Sequence, residues 1–427
     1  MFDLKFIREN KELVQKAITQ KREKADVNRI IELDDSRRRL LGEVEALKAE
    51  RNKRSHEIGK AKSSGQPATE AITAMREVSQ QIKELDGQVA EVLESIDDLL
   101  QWVPNLPDAS VPIGDESANE LVRTWGEPRS EDGLLNHIEL GQKLGILGIE
   151  EGAATSGHGF VTLVGAGARL QRALINFMLD RHTKAGYTEM RTPYATRAEA
   201  LFGCGQLPKL REDMYEIGLD GLYLIPTAEV PLTNFHRGAK LSQADLPNKM
   251  VCYSPCFRRE AGAHGKETHG LIRLHQFDKV ELVKLVTPES SYEELETLTQ
   301  DAEAILQALE LPYRMVTLAT GDLSFASAKT YDLELWAPGE KRWLEVSSCS
   351  NFLDFQARRI GLRYRAEGGK LRYLHTLNGS GVALPRLMVA IMEHYQTADG
   401  RVRLPDVLVP YLGGEVYLAE AQAGSVE

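Results

Sequence analysis

Three groups of residues in the later two thirds of the chain have types and spacings suited to handling anions. The first lies in residues 251–283, VCYSPCFRREAGAHGKETHGLIRLHQFDKVELV, which read as strand, loop, strand. Its first arm ends on Phe257, Arg258, Arg259 and Glu260, and its second carries Arg273, Phe277 and Glu281 at spacings of four. In an extended strand such residues share a face, so a cation, an aromatic ring and a carboxylate would line one surface, which suits a nucleotide. The second group, LEVSSCSN at 344–351, offers Glu345 and Ser348 as hard oxygen ligands on a strand. The third, LNGSGVALPRLMVA at 377–390, sets Asn378 and Ser380 in a glycine turn and Arg386 at the start of an apolar helix. Arginine forks bind phosphate bidentately, and hard oxygens suit Mg²⁺. None of the groups has the glycine-rich form of a P-loop. Taken singly, an Arg, Glu or Ser is more often a surface or salt-bridge residue; the joint occurrence, in this order, favours a working site.

The chain must supply a scaffold for them. Its 427 residues allow two or three domains, and a 27% charged, 42% hydrophobic composition is that of a soluble globular class. No apolar run approaches a membrane span, and the opening MFDLKFIREN has neither a signal core nor the acid-poor character of a transit peptide, so a cytoplasmic protein is expected. Cys204, Cys252, Cys256 and Cys349 form no C-x-x-C pair and read as buried thiols. Cys252 and Cys256 lie four apart, but zinc sites show tighter spacing and a second ligand pair, so no zinc is expected. A net charge of −11 argues against nonspecific nucleic-acid binding by the whole molecule and leaves room for a local basic patch.

Such a patch lies near the N-terminus. Residues 1–26 read as one short amphipathic helix with Phe6, Leu13, Val14 and Ala17 on its apolar side. A seven-residue frame then carries Ile30, Leu33, Leu40, Val44, Leu47 and Ile58; SSGQP at 63–67 breaks it, and a second frame runs Met75, Val78, Ile82, Leu85, Val89, Val92, Ile96 and Leu99. This predicts an antiparallel coiled-coil hairpin whose arm spans about 50 Å. Its first helix is basic, with Arg37, Arg38, Lys48, Arg51, Lys53 and Arg54 among its charges, and its second is mostly acidic. On charge alone, oligomerisation and RNA binding stand equal as uses. The prolines of 102–119 mark a boundary, giving an arm domain at 1–103, a linker at 104–118 and a second domain at 119–427.

The second domain reads as α+β. Strands are predicted at 159–163, 222–225, 249–257, 271–286, 313–318, 329–335 and 342–348, and longer helices at 168–185, 291–310 and 384–395. Successive strands with only turns or single helices between them favour a mainly antiparallel sheet flanked by helices. VTLVGAG at 161–167 imitates a dinucleotide-binding turn, but Leu170 replaces the third glycine and no strand–helix alternation follows.

Taken together these stretches resemble the seryl-tRNA synthetase family of bacterial type, within the class II aminoacyl-tRNA synthetases. Phe257-Arg258-x-Glu260 resembles the second class motif, and Gly379-Ser380-Gly381 through Arg386 the third. The helix from Ala168 with Pro193 in MRTPYA resembles the first, which builds a dimer interface. FGCGQLPK at 202–209, Thr227-Ala228-Glu229 and HQFDKVEL at 275–282 are similar to stretches of the seryl members in particular. Pro385 stands where the class commonly has glycine, a residue that suits a first helical turn.

The resemblance implies ATP-dependent attachment of L-serine to tRNA(Ser) through a seryl-adenylate, with tRNA(Sec) as a second candidate acceptor, by a homodimer on a six- to seven-stranded sheet. It implies Arg258 and Arg386 as the catalytic cations. ATP would be held by Arg258, Arg259, Glu260, Arg273, Leu274, Phe277, Glu345, Val346, Ser347, Ser348 and Arg386, and Mg²⁺ by Glu345 and Ser348. Serine would be surrounded by Thr227, Ala228, Glu229, Arg258, Glu281, Asn378 and Ser380, with Glu281 on its hydroxyl. The basic helix would bind tRNA, and the loop 261–270 would meet the incoming tRNA end. Two rival readings are an amino-acid-activating homologue that loads a carrier protein, which would lack the hairpin, and a noncatalytic RNA-binding paralogue, which would not need a complete ATP site.

Overall fold

The computed structural model describes residues 1–65, 67, 69–261 and 270–418. Most of the loop expected to meet the tRNA end, 262–269, lies outside the described residues. The chain forms two compact units, Met1–Pro104 and Asn105–Glu427.

In the first unit the single N-terminal helix expected over 1–26 is two helices, α1 (Leu4–Glu9) and α2 (Lys11–Gln20). Asn10 separates them with φ −128°, its side-chain amide donating to Phe6 O at 3.0 Å. Asparagine competes with the helix by such local bonds, which an apolar period does not register. The hairpin follows as α3 (Val27–Ser63, 37 residues) and α4 (Thr69–Leu100, 32 residues). Ile30, Leu33, Leu40, Val44 and Ile58 of α3 and Val78, Ile82, Val89, Ile96 and Leu100 of α4 are buried along the seam. At about 1.5 Å per residue, α3 is about 55 Å long.

The second unit is built on an eight-stranded sheet, one or two strands wider than expected. In chain order its strands are β1 (Glu120–Trp125), β2 (Thr188–Met190), β3 (Asn248–Phe257), β4 (Gln276–Val286), β5 (Tyr313–Thr317), β6 (Lys329–Ala337), β7 (Arg342–Asn351) and β8 (His375–Ala383). They lie side by side as β1-β5-β6-β7-β8-β4-β3-β2, antiparallel except for the β2–β3 pair. The strand order excludes the parallel sheet of a dinucleotide-binding fold, and the short strand Thr162–Leu163 pairs antiparallel with Leu147–Gly148.

Five helices matter for the site: α5 (His137–Lys143), α6 (Ala166–Lys184), α7 (Glu229–Asn234), α8 (Ser291–Ala308) and α9 (Leu384–His394). A continuous apolar core joins α6, α8 and α9 to the sheet through residues such as Leu170, Leu174, Leu298, Ile305, Leu387 and Ile391. All four cysteines are buried and free. The proline-rich stretch expected to be a linker packs onto this unit. Buried Asn105 donates to Ala326 O at 2.9 Å and Phe352 O at 2.8 Å, and Val111 joins a small cluster with Val316, Leu318 and Leu323. No helix among the described residues is long and apolar enough to cross a membrane.

The largest departure from the sequence reading is at Asn378 and Ser380, which lie inside the central strand β8 and not in a glycine turn. Gly379 and Gly381 are there for close approach. A Cβ on Gly379 would stand 2.8 Å from Leu298 Cδ2 and 2.9 Å from Cys349 Sγ, and one on Gly381 would stand 2.6 Å from His182 Nε2.

Candidate active site

Strands β7, β8 and β4, together with the segment leading into β4, enclose an open cleft of about 610 Å³, lined by Arg258, Glu260, Arg273, Leu274, Phe277, Lys279, Glu345, Val346, Ser380, Ala383, Pro385 and Arg386. Most of the residues singled out by type therefore converge. Phe277 and Glu281 share a face of β4 as their spacing requires. Arg273 does not belong to that strand, which begins at Gln276; it reaches the cleft from the preceding turn and forms a close ion pair with Glu260.

Glu260 has φ +51°, in the left-handed region that non-glycine residues seldom occupy, and such backbone persists where the surroundings over-determine it. Here Arg258 N donates to His275 O at 2.9 Å, His275 Nδ1 lies 2.9 Å from Arg258 O, and Arg259 N donates to Asp213 O at 2.8 Å. Together these bonds fix the end of β3 against the approach to β4. The Arg258 guanidinium stacks over the Phe277 ring at 5.1 Å and donates to Pro226 O at 3.3 Å. On α9, Pro385 occupies the first turn, as its fixed φ allows, and Arg386 is held by Ile272 O at 3.1 Å and Glu345 O at 2.7 Å. Three guanidinium groups, two carboxylates and an aromatic face around one opening can bind a polyanion attached to a flat base.

Two β-bulges aim the side chains. Between β6 and β7 the register shifts so that Leu333 faces Ser347 while Glu334 faces Glu345. The extra residue, Val346, brings Glu345 and Ser348, three apart, to the same face. Asp332, opposite Ser348 in the ladder, interacts with both. Between β4 and β8 the register shifts from Lys279–Ala383 to Glu281–Ser380, and Ser380 and Ala383 both reach the cleft. Ser347 does not line the opening; its hydroxyl donates to Ser380 O at 2.5 Å and fixes β7 to β8. Ala383, Leu271 and Ile272 also line the cleft, unsignalled by their types.

Adjoining the cleft through Lys279 is a buried polar cluster. Glu229 at the start of α7 and Glu281 are both buried, as are Thr227 and Ala228. Burial first, and then the charge of Glu281, push the Glu229 carboxyl up to about 7, against the Gln356 amide that donates to it at 2.7 Å. Burial also raises Glu281, opposed by Lys279 and by the Thr227 hydroxyl. Lys279 Nζ lies 2.5 Å from Glu281 Oε2. The ammonium at this distance opposes the effect of burial on the carboxyl. Lys279 belongs to this pocket although nothing in its type announced it; the signal was its position midway between Phe277 and Glu281 on the same face.

Other expected residues stand apart. The Arg259 side chain is exposed and outside the cleft lining, and Asn378 is half-buried on β8 and likewise outside it. In the first unit Arg38 and Lys53 are exposed and Arg51 half-exposed, Lys48 lies 3.4 Å from Asp86 across the hairpin, and Arg54 pairs with Glu50. Arg37 is turned inward, donating to the buried Asp34 at 2.7 Å, with Arg8 on the other Asp34 oxygen.

One group of oxygens in the cleft has the character of a divalent-cation site. Asp332 Oδ1 is buried without a hydrogen-bond partner, Ser348 stands beside it, and Glu345, half of whose side chain is exposed, faces the cleft. Hard oxygens of this kind fit Mg²⁺.

Comparison with known proteins places the whole chain. Residues 1–107 match the seryl-tRNA synthetase N-terminal domain, and residues 215–395 match the tRNA synthetase class II core domain (G, H, P, S and T). The serine--tRNA ligase of Desulfitobacterium hafniense (strain Y51) is 52% identical over 418 residues, covering 97% of this chain and 99% of its own. That of Thermodesulfovibrio yellowstonii is 49% identical over 422 residues, covering 97% and 100%. The crystal structure of seryl-tRNA synthetase from Pyrococcus horikoshii complexed with ATP superposes with a TM-score of 0.93 at 38% identity, over 99% of this chain and 100% of that one.

Proposed function

The chain belongs to the seryl-tRNA synthetase family and is an ATP-dependent enzyme that attaches serine to tRNA, and we propose that the cleft and the buried cluster adjoining it divide that reaction between them. The observation that carries this reading is the juxtaposition of Arg258, stacked on Phe277, with the buried Glu229–Lys279–Glu281 group and with Arg386 opposite. ATP lies in the cleft with its base on Phe277 and beside Glu260. Arg258 holds the α-phosphate and the serine carboxylate, and Arg386 the γ-phosphate. Serine points its hydroxyl at Glu281 and is enclosed by Thr227, Ala228, Glu229 and Ser380.

In the first step a serine carboxylate oxygen attacks the α-phosphorus, the bond to the bridging oxygen breaks, and pyrophosphate leaves. A carboxylate is already ionised at neutral pH, so no general base is needed. Arg258 and Arg386 act by orienting the reactants and neutralising charge. Glu345 and Ser348 would hold Mg²⁺ brought with the nucleotide, and the ion would supply further charge neutralisation on the phosphates. In the second step the terminal ribose hydroxyl of tRNA attacks the activated carbonyl, its proton passes to a phosphate oxygen of the adenylate, and AMP leaves.

The hairpin helix α3 is read as the tRNA-binding surface through Arg38, Lys48, Arg51, Lys53 and Arg54, since duplex RNA is recognised mainly by shape and backbone. A homodimer assembled through α6 and the edge strand β2 and a cytoplasmic site of action complete the proposal. Serine-dependent ATP–pyrophosphate exchange, with alanine, glycine and threonine as controls, tests the first step. Absence of exchange with serine sinks the reading. Charging of tRNA(Ser) and tRNA(Sec) in parallel decides the range of acceptors.

A further inference from the structure

Beyond the cleft, His137, Glu340 and Glu393 bring possible ligand atoms within 4.8 Å of one another. The hydrogen bonds argue against a metal there. His137 Nε2 accepts from Leu271 N at 3.1 Å and so carries the lone pair. Nδ1 must then carry the proton, and it points at Glu393 Oε1 (3.2 Å) and Glu340 Oε1 (3.3 Å). The nitrogen facing the carboxylates is therefore a donor.

What the cluster does is join separate parts of the fold. Glu393 is fully buried; its Oε1 also accepts from His137 N at 2.9 Å, and its Oε2 accepts from Gly339 N and Glu340 N at 2.9 and 3.1 Å. It thus fixes the start of α5 and the turn between β6 and β7. His137 is held at that start by the capping box of Asn136 and Glu139. Its ring presses on the segment entering the cleft so closely that a Cβ on Gly270 would stand 2.1 Å from Nε2.

Helix α9 consequently grips two consecutive residues from its two ends. Arg386 in its first turn donates to Ile272 O, and Glu393 near its last, acting through His137, orients the acceptor for Leu271 N. Leu271, Ile272, Arg273 and Leu274 all line the cleft. We propose that His137 is a positioning residue for the nucleotide, a strut between Glu393 and the Leu271 amide that sets the placement of Leu271–Leu274 relative to Arg386. This rests on the assignment of the cleft to ATP.

The test is steady-state pyrophosphate exchange with the full-length enzyme. His137→Leu keeps the ring's apolar volume and loses both bonds. His137→Gln can accept from Leu271 N through Oε1 and donate to Glu393 through Nε2. The expected result is that H137L raises KM for ATP about tenfold while KM for serine moves by less than about twofold, and that H137Q recovers most of the loss. Equal changes in both KM values, a change in melting temperature alone, or an H137Q no better than H137L overturns the proposal. If H137L does not fold, ¹⁵N-histidine NMR of the wild-type enzyme still decides: the Nδ1-protonated tautomer is required, and the Nε2-protonated one refutes the strut. Serine-dependent exchange by the wild type is the separate control, since its failure would count against the functional reading and not against the strut.

Discussion

Lys279 Nζ lies 2.5 Å from Glu281 Oε2, two residues along one face of β4, with both side chains buried beside the equally buried Glu229. Lys279 thus stands between two buried carboxylates, with the Arg258 charge acting on both as well. Removing one partner of a buried pair strands the other, and the loss is typically about 3–5 kcal/mol. Lys279→Met is expected to lower unfolding free energy by about 3 kcal/mol at pH 8, and by less at pH 5.5, where Glu229 holds its proton. Urea denaturation at the two pH values checks this. Equal losses at both would show that the lysine does not serve to balance the carboxylates.

Glu229 makes the same pocket pH-sensitive in the ligand-free protein. Its carboxyl is pushed up to about 7, above an ordinary value of 4.5, so the folded state holds the proton to higher pH than the unfolded state does. The stability this lends is complete below about pH 4.5 and is lost as pH rises through about 7, a change of order 3 kcal/mol. Glu229→Gln cannot ionise, and its unfolding free energy is expected to be flatter between about pH 5 and pH 8 than that of the wild type. A variant with an unchanged pH slope would assign the dependence elsewhere.

That pocket also shows where sequence reading stops. Phe277 and Glu281 were legible because a period of two is a local property of β4. Lys279 shares their face, yet a lysine on a strand ordinarily reads as solvent-facing. Its burial depends on the central place of β4 in the sheet and on Glu229 at the start of α7 beside it, which residues distant in sequence decide. Gly379 and Gly381 suggested a turn for the same reason. Their purpose is contact with Leu298, Cys349 and His182, all far away along the chain. Glu345 and Ser348 were identified by chemistry, but their odd spacing would have separated them without the bulge at Val346. The class motifs were readable because they lie in contiguous segments; the bulges and buried charges that aim them were not.

Serine differs from alanine by one hydroxyl, and Glu281 is a buried carboxylate beside Lys279 and Thr227. A site that spends a buried carboxylate on that hydroxyl loses the interaction with alanine, from which discrimination of ~10⁴ is available. Glu281→Ala is expected to raise KM for serine and to reduce the preference over alanine by at least about a hundredfold, while KM for ATP changes by less than about threefold. Pyrophosphate exchange with each amino acid measures both. Equal loss in serine and ATP terms would count against the assignment.

The basic helix contains arginines of two kinds. Arg37 faces the fully buried Asp34, where burial alone would raise the carboxyl; Arg37 and Arg8 outweigh it and hold the group below its usual range. A lowered folded-state value means that the stabilisation is present above the ordinary aspartate range and lost as pH falls through it. Arg37→Ala is therefore expected to destabilise the N-terminal unit at pH 7 and to do so less at pH 3. Among the described residues no ion pair engages Arg51, which is half-exposed, or Lys53, which is exposed. The double charge reversal Arg51→Glu, Lys53→Glu is expected to leave the melting temperature and pyrophosphate exchange unchanged, to raise KM for tRNA at least about tenfold, and to flatten its dependence on salt, because each lost phosphate contact removes roughly one released counterion. If charging by the double variant matched the wild type at every salt concentration, the tRNA would have to lie elsewhere than along this stretch of α3.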